Sequence, residues 1–202
     1  METSKRWHVS AWWLIGLSIL AAAGVWYWHT QRPVIPPGLV ELRENVAKII
    51  EDSERISDVD IRPLAELEAR KDYSGAVALV DRAIAQNSLR QSLAASLLSA
   101  ATELLELGVE VRPDAAGTEA ITAFSILVKL AQTEKRYYDR RHRLYETTRG
   151  YYADLTAKKN PPIPPALEPL VEEVNAEFKR VKSLRTEFAA AIRAFDATAA
   201  GR

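Results

Sequence analysis

The chain has 202 residues, 27 basic and 27 acidic side chains for a formal net charge of zero, and no cysteine. The lack of cysteine excludes disulfide staples, thiol chemistry and any cysteine-based metal site. The 48% of hydrophobic residues are enough for a core.

All five tryptophans, Trp7, Trp12, Trp13, Trp26 and Trp28, lie in the first 28 residues, and the stretch from Ala11 to Val25 carries no charge. Aromatic residues at both ends of an apolar run are what membrane interfaces select. Ala11 to Trp28 would make a helix of roughly 27 Å, close to the hydrocarbon core of a bilayer at about 30 Å. The expectation is a short tail over 1–10 and a single transmembrane helix over 11–28 acting as a signal anchor. Trp7, Trp12, Trp13, Trp26, Tyr27 and Trp28 would stand at the two interfaces. Lys5, Arg6 and Ala21-Ala22-Ala23 also fit a cleaved signal peptide. Cleavage would strand Val25-Trp-Tyr-Trp28 as an exposed aromatic start, so retention is preferred; both readings export the remainder, which would part it from nucleic acid. The basic tail orients the N-terminus to the cytoplasm and the rest outside it, although Arg32, Arg43 and Lys48 nearly balance the count.

Residues 29–38 read as a proline-rich linker, because Pro33, Pro36 and Pro37 remove donors and fix φ. Residues 39–202 then read as helix almost throughout. Leu39, Leu42, Val46, Ile49 and Ile50 trace one helical stripe. Tyr73, Val77, Val80 and Ile84 trace a second, entered at Asp72. Leu89, Leu93, Leu97, Ala100, Leu104 and Leu107 trace a third, predicted to begin after Asn87-Ser88 and to stop at Gly108. Val109-Glu-Val111 is the only strand-like scrap, and Arg62-Pro63 and Arg112-Pro113 are breaks.

Two long helices are predicted in the second half, about 117–159 and 168–199. Phe124, Ala131, Tyr138, Tyr145 and Tyr152 recur at a spacing of seven, as do Val174, Val181, Phe188 and Phe195. Sustained sevens are a left-handed packing signal, and the stiff Asn160-Pro-Pro-Ile-Pro-Pro165 turn lets the two helices fold back antiparallel. The fold class expected is all-α: an N-terminal transmembrane helix, then an antiparallel helical bundle ending in a long helical hairpin.

Charge is uneven along the chain. Residues 33–128 hold 9 basic and 16 acidic side chains, whereas residues 129–160 hold 9 and 4. The simplest reading sets the basic stretch against the acidic early helices of the same bundle. The sharper one makes Arg136, Arg140, Arg141, Arg143 and Arg149, interleaved with tyrosines, a contact surface for a partner or an anion such as a phospholipid headgroup. Tyr138, Tyr145 and Tyr152 fall on the heptad stripe, so packing accounts for them, with their hydroxyls expected to meet Glu134, Arg141 or Thr148.

Catalytic signatures are missing from the sequence. His8 and His29 flank the apolar segment, roughly 30 Å apart if it is helical. Asp139-x-x-His142 has the spacing of half a di-iron motif without a second His-bearing half. No nucleophile elbow, glycine-rich phosphate loop or His-Glu-x-x-His occurs. The expectation is therefore no enzyme, no metal and no cofactor.

Lys71-Asp-Tyr73-Ser-Gly-Ala76 through Ala83-Ile84 looks like the second helix of a tetratricopeptide repeat, without a 34-residue recurrence to extend it. The whole layout is similar to that of LemA-type membrane proteins, with Arg141-x-Arg143-Leu-Tyr145 and Tyr152 standing where those proteins have an Arg- and Tyr-rich helix. The Tyr-Asn pairs of that family are absent, Tyr145 being followed by Glu146 and Tyr152 by Ala153. The resemblance is architectural; it implies an envelope protein with a helical domain and no particular chemistry. Together these readings predict a non-catalytic membrane-anchored scaffold or protein-interaction module of the cell envelope. Its partners would be the lipid bilayer and another protein or a second copy of itself, with no nucleic acid and no small-molecule substrate.

Overall fold

The computed structural model describes residues 34–112, 114–159 and 161–200. The predicted transmembrane helix, its interfacial aromatics and the first part of the linker lie outside the described residues. Among the described residues no helix is long and apolar enough to cross a membrane.

Five helices are present among the described residues: α1 (Pro37–Arg55), α2 (Pro63–Ala69), α3 (Tyr73–Gly108), α4 (Asp114–Thr156) and α5 (Leu167–Ala199). Proline opens both α1 and α2, where the missing N–H has no intrahelical partner to lose. Asp72 caps α3 by accepting from the Gly75 amide at 2.9 Å. Two helices close on a lysine in the left-handed region, Lys71 after α2 and Lys158 after α4, each at φ 59°. The amides that follow reach back to Leu67 and Asp154 carbonyls at 2.8 and 3.1 Å, satisfying groups the helix ends would otherwise leave open.

The break predicted at Asn87-Ser88 is absent, and the second and third stripes are one helix of 36 residues. Asn87 is buried against α4 and donates its side-chain amide to the Tyr138 carbonyl at 2.9 Å, while the Ser88 hydroxyl donates to the Ile84 carbonyl at 3.0 Å. Both side chains are used inside the packed helix rather than to end it. A continuous helix of this length is also unlike a tetratricopeptide hairpin, so that likeness ends with the local spacing.

The helices run up and down in turn: α1 packs on α3, α3 on α4 and α4 on α5, with α2 laid on the start of α3. At about 1.5 Å per residue α3, α4 and α5 are roughly 54, 64 and 50 Å long. The main core is alanine-rich on α3 and α4 (Ala100, Ala101, Ala120, Ala123), which lets these backbones approach closely. Phe124, Leu127, Leu104 and Leu39 fill it, and Phe195 meets Phe124 edge-on at 5.8 Å. A second cluster at the far end joins Ala76, Val80 and Ala83 of α3 to Tyr145 and Tyr152 of α4. The heptad stripe of α4 is buried along its whole length, from Phe124 to Tyr152.

The tight turn between α3 and α4 places Gly117 so close to it that a Cβ there would stand 2.8 Å from the Val111 carbonyl oxygen. Across this turn lies the entering chain: Val34 and Arg112 exchange backbone hydrogen bonds of 2.8 and 3.2 Å, a single antiparallel bridge. The strand-like Val109-Glu-Val111 forms no strand and adjoins this bridge.

Candidate functional site

The basic stretch of α4 faces two ways. Arg141 and Arg149 turn to the early helices: Arg141 reaches Asp58 at 2.9 Å and Arg149 reaches Asp81 of α3 at 2.5 Å. Arg136 and Arg140 turn to α5, where Glu177 is 1% exposed and stands 3.0 Å from Arg140, 3.7 Å from Arg136 and 3.3 Å from Arg180. Arg140 also lies 3.4 Å from Glu173. Arg143 is exposed, and among the described residues no carboxylate lies within ion-pair distance of it. The five arginines singled out from the sequence therefore do not gather on one open face. Four serve as internal ties, and the charge complementarity read from the sequence holds for Arg141 and Arg149 but is met within the terminal hairpin for Arg136 and Arg140.

Arg141 is the most enclosed of them. Its Nε donates to the Tyr145 hydroxyl at 2.7 Å, and its guanidinium lies over the Tyr137 and Tyr145 rings at 5.9 and 5.3 Å. Burial opposes its charge, yet the two tyrosines and Asp58 outweigh that and raise its pKa. Asp58 accepts from both Arg90 (2.8 Å) and Arg141. Burial raises the Asp58 carboxyl, but those two guanidiniums more than offset it and hold the group below the ordinary carboxylate value. Arg90 also donates to the Ile56 carbonyl, so the 56–62 connection is fastened to both α3 and α4. Tyr152 departs from expectation: its hydroxyl donates to Glu68 of α2 at 3.2 Å. Burial and that carboxylate push its pKa up to about 12.

Asp139 accepts from Gln91 and Lys135, and His142 lies 3.8 Å from Glu146; among the described residues no group of three or more metal-ligating side chains gathers.

What the sequence did not disclose is the seam between α1 and α5. No Cα of α1 comes within 8 Å of α5. The two helices are joined by side chains at either end: Arg43 to Asp196 at 2.9 Å, and Glu54 to Arg185 at 3.9 Å. Along the seam lie three adjoining cavities of about 330, 200 and 170 Å³. The middle one is walled by Ile50, Leu93, Leu97, Leu130 and Phe188 and floored by Glu134, which is 4% exposed and accepts from Arg185 at 2.7 Å. Helical spacing places Ile50, Leu93, Leu97 and Phe188 on apolar stripes but says nothing about the gap between non-adjacent elements.

No family model, curated protein or solved structure matches this chain. The likeness to LemA-type proteins thus rests on layout alone.

Proposed function

We propose that the chain is a membrane-anchored, non-catalytic helical scaffold that engages a protein partner, or a second copy of itself, at the cell envelope. The anchor would be residues 11–28, uncharged and bounded by tryptophans, with the N-terminus cytoplasmic and the bundle outside. The observation that carries the interaction reading is where apolar surface is left uncovered. Val171 and Phe178, seven residues apart on α5, are each 43% exposed, and Ile163 in the connection leading to α5 is 71% exposed; Val40 and Val109 at the opposite end are also exposed, at 53% and 58%, but do not share one helix face. α1 ends at Arg55, and its last turn borders the cavity beside Phe178 while leaving that ring 43% exposed. The entering chain is held at the other end, beside Arg112, and α4 separates the two ends by roughly 64 Å. A rod fastened at one end with an apolar stripe toward the other suits a spacer that presents a contact surface away from its anchor. The rival reading, an anion or headgroup surface on residues 135–149, has less support because four of the five arginines are already paired.

The absence of cysteine makes the test clean. Single cysteines placed at Val171 and, as a control, at Val109 are crosslinked in intact membranes with a thiol-specific bifunctional reagent. Capture of one specific protein, or of a second copy, from Val171→Cys and not from Val109→Cys supports the reading; equal or no capture overturns it. Alkaline extraction tests the anchor: the full chain stays with the membrane pellet, and a chain lacking residues 1–28 is released.

A further inference from the structure

The α1–α5 seam is built in a way that a scaffold does not require. Its three cavities lie in line: the upper shares Ser53, Glu54 and Arg185 with the middle one, and the middle shares Ile50 and Phe188 with the lower. From Arg43 to Glu54 the track runs along α1 for about 17 Å, and Asp58 of the following connection borders its upper end. The middle and lower chambers are lined chiefly by aliphatic and phenyl side chains, whereas the upper one carries most of the charge. A dry cavity of about 150 Å³ suffices for a benzene-sized guest, so each chamber has room for several methylene groups.

The charges around the upper chamber do not cancel. Arg90 and Arg141 share Asp58, and Arg185 is shared between Glu134 and Glu54. Lys182, which lines the same chamber, lies over the Phe178 ring at 4.8 Å, and among the described residues it has no carboxylate partner. Four cations stand against three carboxylates, leaving one positive charge in excess at the mouth of a track whose remaining charges are the Glu54–Arg185–Glu134 group in its middle and Arg43 at its far end. We infer that this seam is a binding site for a single-chain amphiphile with an anionic head, its chain along Ile50, Leu97 and Phe188 and its head at Lys182.

This inference does not rest on the anchor; it shares Phe178, which lines the upper chamber, with the exposed stripe of α5. It is tested on the full chain in bilayer nanodiscs with a diazirine derivative of octanoate, which is water-soluble. After photolysis, the labelled peptides are mapped by mass spectrometry. Labelling should fall on α1 residues 46–54 and α5 residues 182–192. Octanoate should compete and octylamine should not; competition by octyl phosphate as well marks a phospholipid-type head, and competition by octanoate alone marks a fatty acid. Lys182→Glu, at an exposed position, should weaken labelling about tenfold, and Ile49→Trp should block the middle chamber to the same degree, with folding checked by circular dichroism. Label spread over Ile163 and Val171, equal competition by octylamine, or undiminished labelling in folded Lys182→Glu overturns the assignment.

Discussion

Lys71 and Lys158 hold backbone angles that glycine adopts at lower cost, since a left-handed conformation sets Cβ against the following carbonyl by roughly 1–2 kcal/mol. Lys71→Gly and Lys158→Gly are each expected to raise stability by about 0.5–1 kcal/mol after the added chain entropy of glycine is deducted, measured by urea unfolding; a loss at either site would contradict the role of these residues as helix stops. Asp58 makes a pH-dependent contribution. Its folded pKa lies below the ordinary 3.8, so the stability it adds is present above that value and is lost as the pH falls through the folded value. Asp58→Asn should therefore destabilise at neutral pH, by about 1 kcal/mol or less for so open a pair, and the gap from the parent should close in acid. Tyr152 works in the opposite direction: its folded pKa is raised from 10.0 to about 12, so its contribution is complete below 10.0 and disappears as the pH climbs through about 12. Tyr152→Phe should remove that alkaline component of unfolding. The burial of Tyr138, Tyr145 and Tyr152 was legible in their sevenfold spacing. The partnership of Asp58 with two arginines was not, because it depends on a short aperiodic connection whose path follows from tertiary packing.

Among the elements, α4 and α5 were readable nearly to their ends, since no proline falls within α4 or beyond the first turn of α5 and their apolar sevens continue without a slip. α3 was misread at one point, where Asn87 and Ser88 resemble a helix start. Local propensity yields there to a buried hydrogen bond from Asn87 to α4. Ser88→Pro discriminates between the two arrangements: proline would be tolerated at the first turn of a new helix, but within the continuous α3 it should cost about 3 kcal/mol or more, as read from the shift in unfolding midpoint. α5 is held at its C-terminal end chiefly by Phe195, fully buried against Phe124 and beneath the Arg43 guanidinium. Phe195→Ala is expected to cost about 3–5 kcal/mol, and a loss under 1 kcal/mol would mean that this end is not packed as described.

For the whole molecule, periodicity told which faces turn inward and left open which helices are neighbours. The backbone gap between α1 and α5 is a property of that arrangement and has no counterpart in any single stripe. Because α1 packs its backbone on α3 alone, it should open more readily than the bundle's centre. Native-state hydrogen exchange should show weaker protection across residues 41–55 than across residues 124–138, and equal protection would indicate that α1 is integral to the cooperative unit. The bridge between Val34 and Arg112 bears on mechanics. A tug arriving along the polypeptide from its N-terminal side meets this two-bond buckle before it meets α1. Traction is thereby delivered to the corner joining the two longest rods in the protein, sparing the shorter flanking coil from being peeled away first.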